Sequence, residues 1–324
     1  MSGADGPRFG SDPADRLSPV AGSVSSAGGV AGNIYDLGYQ RYDGPRLGRR
    51  HAIWALFAYS LRGTFGIGRS GRAKLVPISL ALLALLPALV AVGVTALLNR
   101  TSSSVPVSSP ISYATFYGYI SIILMLFCAA QAPELLGRDQ RYHVLSLYFS
   151  RALVRTDYAI AKLGALLAAI LLVFLVPQLV IFLGHVLSAS DVPTAFADNL
   201  WSIPPVLVIA FAAAFVLGGI SLAVAAFTPR RAYATAAIIA LFIVPPIIAA
   251  IVVDVAPGGA SRWIVLLVPG SILDGLNSYL FNVAPNSRLL QQVDLPGQVF
   301  AVAAMVVSIV SVGILVRRYR RIAA

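Results

Sequence analysis

Long apolar stretches dominate the chain, and shorter polar segments rich in arginine separate them. Six stretches are almost free of charge over 18 to 25 residues: 75–98, 111–133, 163–187, 203–227, 232–253 and 299–316. A helix of such length crosses the hydrocarbon core of a bilayer, and helices are the open-chain way to satisfy backbone hydrogen bonds there. The pattern therefore predicts an all-α polytopic membrane protein with six transmembrane helices, which form a domain over residues 75–316.

The composition excludes a soluble enzyme. Hydrophobic residues make up 58% of the 324 residues and charged residues 11%, whereas about a quarter of a soluble domain is charged. The single cysteine, Cys128, lies inside the second predicted span. Disulfide frameworks and thiolate metal sites are therefore excluded as well.

The net charge of +11 raises the question of nucleic-acid binding, and the positions of the basic residues answer it. If both termini are cytoplasmic, 21 of the 24 Lys and Arg residues fall on the cytoplasmic side, including the basic C-terminus over residues 317–324. This is the positive-inside bias of membrane proteins. The charge reflects topology, and we expect no nucleic-acid partner.

The segment before the first span divides into two predicted parts. Residues 1–33 are rich in Gly, Ser, Ala and Pro without an apolar core, which predicts a disordered cytoplasmic tail. Residues 34–74 combine an entry sequence with apolar positions at helical spacing, which predicts an interfacial amphipathic helix on the lipid surface. The alternative is a surface helix packed against other protein. The expected anchors are Trp54, Arg62, Arg69, Arg72 and Lys74.

The connection between spans two and three, residues 134–162, is the largest internal cytoplasmic segment. The spacing of its apolar positions predicts a short amphipathic helix. These positions are Leu145, Tyr148, Phe149, Ala152 and Leu153. A charged cluster precedes this predicted helix and faces either the cytosol or a protein partner. The alternative is a solvated charged turn without a partner. The cluster is Arg138, Asp139, Gln140 and Arg141.

The fifth connection, residues 254–298, contains two apolar pieces that Pro269-Gly270 separates. Each piece is too short to span, so we expect re-entrant or outer-surface helices covered by the bundle. The alternative is a seventh span over residues 263–281, which would place the C-terminal arginines on the other side of the membrane.

Catalytic signatures are not found in the sequence. The run from Gly66 to Lys74 lacks the Gly-Lys-Ser/Thr end of a P-loop, and the three histidines are dispersed. Ion-coupled carriers usually keep ionisable residues in mid-membrane, whereas His185 and Asp254 lie near span ends. We therefore expect neither catalysis nor a cofactor in this chain. The driving force for any transport is expected to come from outside it.

The arrangement over residues 34–321 resembles the membrane subunit of ABC-2-type ABC transporters. The resemblance rests on the six spans, the basic interfacial helix, the outer insertion and the connection with Asp139-Gln140-Arg141, Ser150-Arg151, Arg155 and Lys162-Leu163-Gly164. The entry sequence 34–46 is similar to that of bacterial, especially actinobacterial, permeases of this group.

The resemblance implies a multi-pass permease of the inner (plasma) membrane that takes part in export. A separate ATPase subunit would bind ATP and Mg²⁺, and a second copy or a related permease would complete the pathway. The expected ATPase contact is the coupling segment with Arg138, Asp139, Gln140, Arg141 and Arg151. The alternatives are a membrane scaffold or sensor without transport and, more remotely, an ion-coupled carrier.

Overall fold

The computed structural model describes residues 44, 47–101, 111–149, 153–189, 191–256 and 258–321, with the backbone alone at 98–101. The predicted tail over residues 1–33, most of the entry sequence and Arg151 lie outside the described residues. Helices make up 84% of the described residues and no strand occurs among them, which confirms the all-α fold class.

The described helices follow one another with short links. In chain order they are α1 Gly48–Thr64, α2 Gly71–Thr101, α3 Tyr113–Arg141, α4 Leu145–Phe149, α5 Arg155–Leu187, α6 Val192–Leu200, α7 Ile203–Ala213, α8 Gly219–Ala225, α9 Arg231–Val255, α10 Pro269–Phe281, α11 Arg288–Gln291 and α12 Gly297–Arg321. Within the described part of the chain, six helical segments are long and apolar enough to cross a membrane. They are α2, α3, α5, the α7–α8 pair, α9 and α12, and they coincide with the predicted spans.

The centre of the bundle is formed by α3 and the α7–α8 pair. In each of them 67% of the apolar span is buried, against 22% in α2, α9 and α12. Exposed apolar residues therefore line the outer faces of these three helices, for example Leu82, Ile247 and Ile309. Continuous apolar surface of this kind is typical of a membrane protein.

The fourth span contains a π-helical turn, Ala214–Gly218, between α7 and α8. The turn ends at Gly218, and Gly219 follows it. Gly218 packs against Ile170 of α5, and Gly219 packs against Ser311 of α12. A Cβ on Gly218 would lie 2.9 Å from Ile170 Cδ1. The small residues thus let α8 approach both neighbours closely, at a turn type that is uncommon within helices.

The charged cluster lies on the last turns of α3. The hydropathy pattern instead predicts a span that ends at residue 133 and a cluster in the connection after it. The helix continues to Arg141, and Glu134 and Asp139 on its last turns pair with cations of neighbouring segments. We call this end of the bundle, where α3 and α12 end and α5 and α9 begin, the basic end. Beyond α3 the predicted amphipathic helix is the single turn α4. Leu153 precedes α5, and Ala152 lies outside the described residues.

The predicted interfacial segment is two helices joined by a tight link. α1 ends at Thr64, and Gly66 and Gly68 adopt positive φ angles of 70° and 85°, a conformation that glycine adopts without steric cost. Arg72 and Lys74 consequently lie in the first turn of α2. α1 packs against α5 and α3, with Leu56, Ser60 and Thr64 buried.

The fifth connection bends sharply at the predicted Pro-Gly break. A 3₁₀ helix, Ser261–Leu267, meets α10 at an angle of 100°. α10 packs against α12, α7 and α3, and its residues from Ser271 to Asn277 are buried. It ends at Asn282, whose left-handed φ of 52° closes the helix. The chain therefore bends at the predicted break, and whether the two pieces form re-entrant or outer-surface helices or a seventh span stays a prediction.

The close packing of α10 on α12 gives a stability prediction. A Cβ on Gly275 would lie 2.5 Å from Phe300 Cγ, whereas a Cβ on Gly93 of α2 would meet nothing within 4 Å. We expect Gly275→Ala to destabilise the protein by about 1–3 kcal/mol through overpacking, and Gly93→Ala to be neutral or stabilising. Thermal unfolding of both purified variants in one detergent checks this. Equal melting temperatures would contradict the packing described for α10.

Candidate functional site

The deepest charged contact at the basic end joins α3 to α5. Lys162 Nζ lies 2.8 Å from Asp139 Oδ2, and the lysine side chain is only 4% exposed. The Tyr158 hydroxyl donates to the same carboxylate oxygen at 2.8 Å. Asp139 is thereby directed into the protein, where its charge neutralises a buried lysine.

A second carboxylate on α3, that of Glu134, collects three guanidinium groups. Its Oε1 lies 2.6 Å from Arg69 Nη1 and 3.7 Å from Arg138 Nη1. Its Oε2 lies 3.0 Å from Arg231 Nη1 of α9. Glu134 therefore ties the α1–α2 link and the start of α9 to the end of α3.

The ends of α1 and α12 are attached to the same region. Gln140 Nε2 donates to the Tyr319 hydroxyl of α12 at 2.9 Å. Arg49 of α1 binds both carboxylate oxygens of Asp157 in α5, at 2.7 and 2.8 Å. These bonds raise the pKa of Arg49, and their bidentate geometry orients α1 along α5.

A groove of about 960 Å³ opens at the basic end between α3 and α9. We call it the basic groove, since its charged lining residues are Arg141, Arg230 and Arg231, with His143 beside them. All four are exposed, and no acidic residue lines the groove. Arg231 is partly neutralised by Glu134, while Arg141 makes no ion pair with a residue that the structure describes. An acidic surface would complement this groove.

The structure divides the predicted ATPase-contact residues into two groups. Arg138 and Arg141 are exposed, whereas Asp139 and Gln140 are partly buried and bonded to α5 and α12. Arg151 lies outside the described residues. The proposed contact with a partner stays a prediction for all of them, and the exposed arginines are the better placed.

The predicted interfacial anchors also separate. Trp54, Arg62 and Arg72 are exposed and Lys74 is half-buried, so these side chains are accessible at the surface of α1 and the start of α2. Arg69 instead reaches Glu134. Anchoring at a membrane surface stays a prediction.

The opposite end of the bundle has an apolar pocket of about 340 Å³ between α5, α6 and α7. Its polar lining is small: the Tyr113 hydroxyl donates to Asn199 Oδ1 at 2.8 Å, and Gln178 Nε2 donates to the Tyr113 carbonyl at 3.4 Å. The ring of His185 packs edge-on against Tyr113. This contact gives His185 a packing role near the end of α5.

Several of these residues were missed by sequence reasoning. Glu134 precedes Arg138 by four residues, a helical pairing that could have been found. Lys162 stands alone at the start of an apolar run, which indicates a buried or snorkelling cation. Asp274 of α10 accepts from the backbone N–H groups of Asn286 and Ser287 at 3.2 and 2.8 Å, and no sequence signal predicted that contact.

Similarity to known proteins gives no assignment. No protein-family model matches the chain, and no curated protein matches it. Among the described residues no group of His, Cys, Asp and Glu could hold a metal ion. The bundle and its basic end are therefore the features that bear on function.

The Asp139–Lys162 pair predicts a pattern in stability. Lys162→Met removes the buried cation and leaves the Asp139 carboxylate with Tyr158 alone, so we expect a loss of about 3–5 kcal/mol. Asp139→Asn combined with Lys162→Met removes both charges and keeps an acceptor for Tyr158, so much of the loss should be recovered. Thermal unfolding in detergent compares the two variants. A double variant no more stable than the single one would refute the pairing.

Proposed function

We propose that the chain is the membrane-spanning permease subunit of an ATP-driven ABC exporter of the ABC-2 type, served by a separate ATPase subunit that binds ATP and Mg²⁺. The observation that carries the proposal is the basic groove on an apolar six-span bundle. An ATPase can change the conformation of a helix bundle only if its contacts with the bundle differ between the two conformations of the bundle. Exposed Arg141 and Arg230 offer such contacts to an acidic surface.

In this proposal the chain lies in the inner (plasma) membrane, and its basic end faces the cytoplasm. Most of the described arginines lie at the basic end, which the ends of α3 and α12 and the starts of α5 and α9 form. Arg262 and Arg288 lie instead in the connection between α9 and α12. The positive-inside bias supports this orientation. Both termini are then cytoplasmic, and α1 lies at the inner membrane surface.

The pathway in this proposal lies between two permease chains, either two copies or a related pair. The outer faces of α2, α9 and α12 are apolar and exposed, so they are available to lipid and to a second chain. The apolar pocket at the opposite end suits a hydrophobic or amphiphilic cargo. We therefore propose export of such a compound.

Ion-coupled transport is less well supported. Asp274 is a buried carboxylate, of the kind that such carriers use. Its oxygens, however, accept three hydrogen bonds from Asn286 and Ser287 at the start of α11. This gives Asp274 a structural role in holding the outer insertion.

The docking of an ATPase can be tested by affinity purification. The tagged full-length chain is isolated in mild detergent from membranes of its own host, and co-purified P-loop ATPases are quantified by mass spectrometry. We expect a stoichiometric ATPase with the wild-type chain. We expect at least about ten-fold less with the double variant Arg141→Glu/Arg230→Glu, because like charges would then meet at the groove.

The matched control is Arg262→Glu/Arg288→Glu, the same two charge reversals in the connection between α9 and α12, and it should retain the ATPase. Equal recovery with both double variants would remove the basic groove as the docking site. An intact, monodisperse wild-type chain without any ATPase would contradict the exporter proposal and favour the scaffold alternative.

A further inference from the structure

A second pocket at the basic end lies beside α1 and has a volume of about 550 Å³. We call it the α1 pocket. Its walls come from α1, the α1–α2 link, the end of α3, α4 and its preceding turn, and the start of α5. The volume is within the range of small-molecule sites. The basic groove between α3 and α9 is a separate cavity.

The charges around the α1 pocket do not balance. Lys162 and Asp139 neutralise each other. Glu134 alone faces three guanidinium groups, those of Arg69 and Arg138 in the pocket wall and that of Arg231 behind it. Among the charged residues that line the α1 pocket, one positive charge is therefore left without a carboxylate, since Arg231 lines the basic groove instead. Such an excess at a partly buried position attracts an anion.

The state of Arg69 agrees with a missing counter-charge. Its side chain is 22% exposed. Burial and, after it, repulsion by Arg138 lower the pKa of Arg69, although Glu134 opposes the shift. An additional anion beside the two arginines would offset that repulsion.

Ser60 supplies an independent observation. The residue is 2% exposed, lines the α1 pocket, and its Oγ has no hydrogen-bond partner among the described residues. Buried hydroxyl groups are normally hydrogen-bonded. A ligand oxygen in the pocket would accept the proton that Ser60 Oγ can donate.

The geometry brings Ser60 and Arg69 to the same wall. A Cβ on Gly63 would lie 3.2 Å from Arg69 Nη2, so the guanidinium group rests against α1 at this position. Ser60 precedes Gly63 by one helical turn and shares its face. The hydroxyl donor and the arginine fork therefore border the same space.

We propose that the α1 pocket binds a phosphate-bearing anion, with Arg69 and Arg138 as its charge partners and Ser60 as a hydrogen-bond donor. A guanidinium fork matches phosphate oxygens in geometry, and the excess positive charge of the pocket complements a phosphate ester. The pocket lies at the end of a bundle of membrane-spanning helices, where basic pockets meet phospholipid headgroups. The phosphate is carried either by such a headgroup or by a soluble ester.

Native mass spectrometry of the purified full-length chain in detergent tests this with three probes. Phosphatidylglycerol carries the phosphate on a lipid, glycerol phosphate carries it in solution, and diacylglycerol has the tails without the phosphate. We expect saturable binding of a phosphate-bearing probe and none of comparable strength for diacylglycerol. Binding of phosphatidylglycerol alone identifies the headgroup as the source, and binding of glycerol phosphate identifies a soluble ester.

Substitutions decide whether the binding occurs in the α1 pocket. We expect Ser60→Ala and Arg138→Gln each to weaken binding by about ten-fold, since each removes a hydrogen bond or ion pair to a charged group. The matched controls are Ser308→Ala of α12, whose hydroxyl donates to the Ala304 carbonyl, and Arg317→Gln, an exposed arginine also at the basic end. Both should bind as the wild-type chain does.

Ser60→Ala keeps the test independent of folding, because it removes only a hydroxyl that lacks a partner, and its melting temperature should equal or exceed that of the wild-type chain. Two results would overturn the proposal. One is equal affinity for phosphatidylglycerol and diacylglycerol without binding of glycerol phosphate. The other is binding by Ser60→Ala and Arg138→Gln at the wild-type affinity.

Discussion

The need to neutralise charge on a largely apolar helix organises the basic end of this protein. α3 is a buried span that continues into turns carrying Glu134, Arg138 and Asp139. A carboxylate at such a position is costly unless a cation and hydrogen-bond donors meet it. Asp139 therefore holds α5 through Lys162, and Glu134 holds α9 and the α1–α2 link. Four segments of the chain converge because two carboxylates need partners.

The opposite end is organised by a different constraint, the irregular backbone of the bent pair. The interruption at Pro269 leaves backbone polar groups without partners in a regular helix. α10 meets this requirement by burial between α3, α7 and α12. Asn277 Nδ2 donates to the Ala114 carbonyl of α3 at 2.7 Å, and Asp274 caps the chain at Asn286 and Ser287. The connection between α9 and α12 is thus part of the bundle's packing.

The two ends differ in a way that bears on function. Charged contacts across helix ends can be exchanged for contacts with a partner or a ligand, since each is local and directional. The glycine contacts at α8 and α10 are closely packed, and close packing resists gradual deformation. The proposed exporter would require a bundle of this kind, with directional contacts at one end and close packing inside, to respond to docking as a unit.

The sequence alone determined the fold class, the six spans and the break at Pro269-Gly270, because hydrophobic length and helix breakers are local properties. It also located the charged cluster at residues 138–141. Only the tertiary structure decided that Asp139 faces inward to Lys162, that Arg69 meets Glu134, and that Ser60 borders a polar pocket. Those contacts join residues far apart in the chain, and which charge reaches which partner depends on how the helices pack rather than on spacing along any one of them.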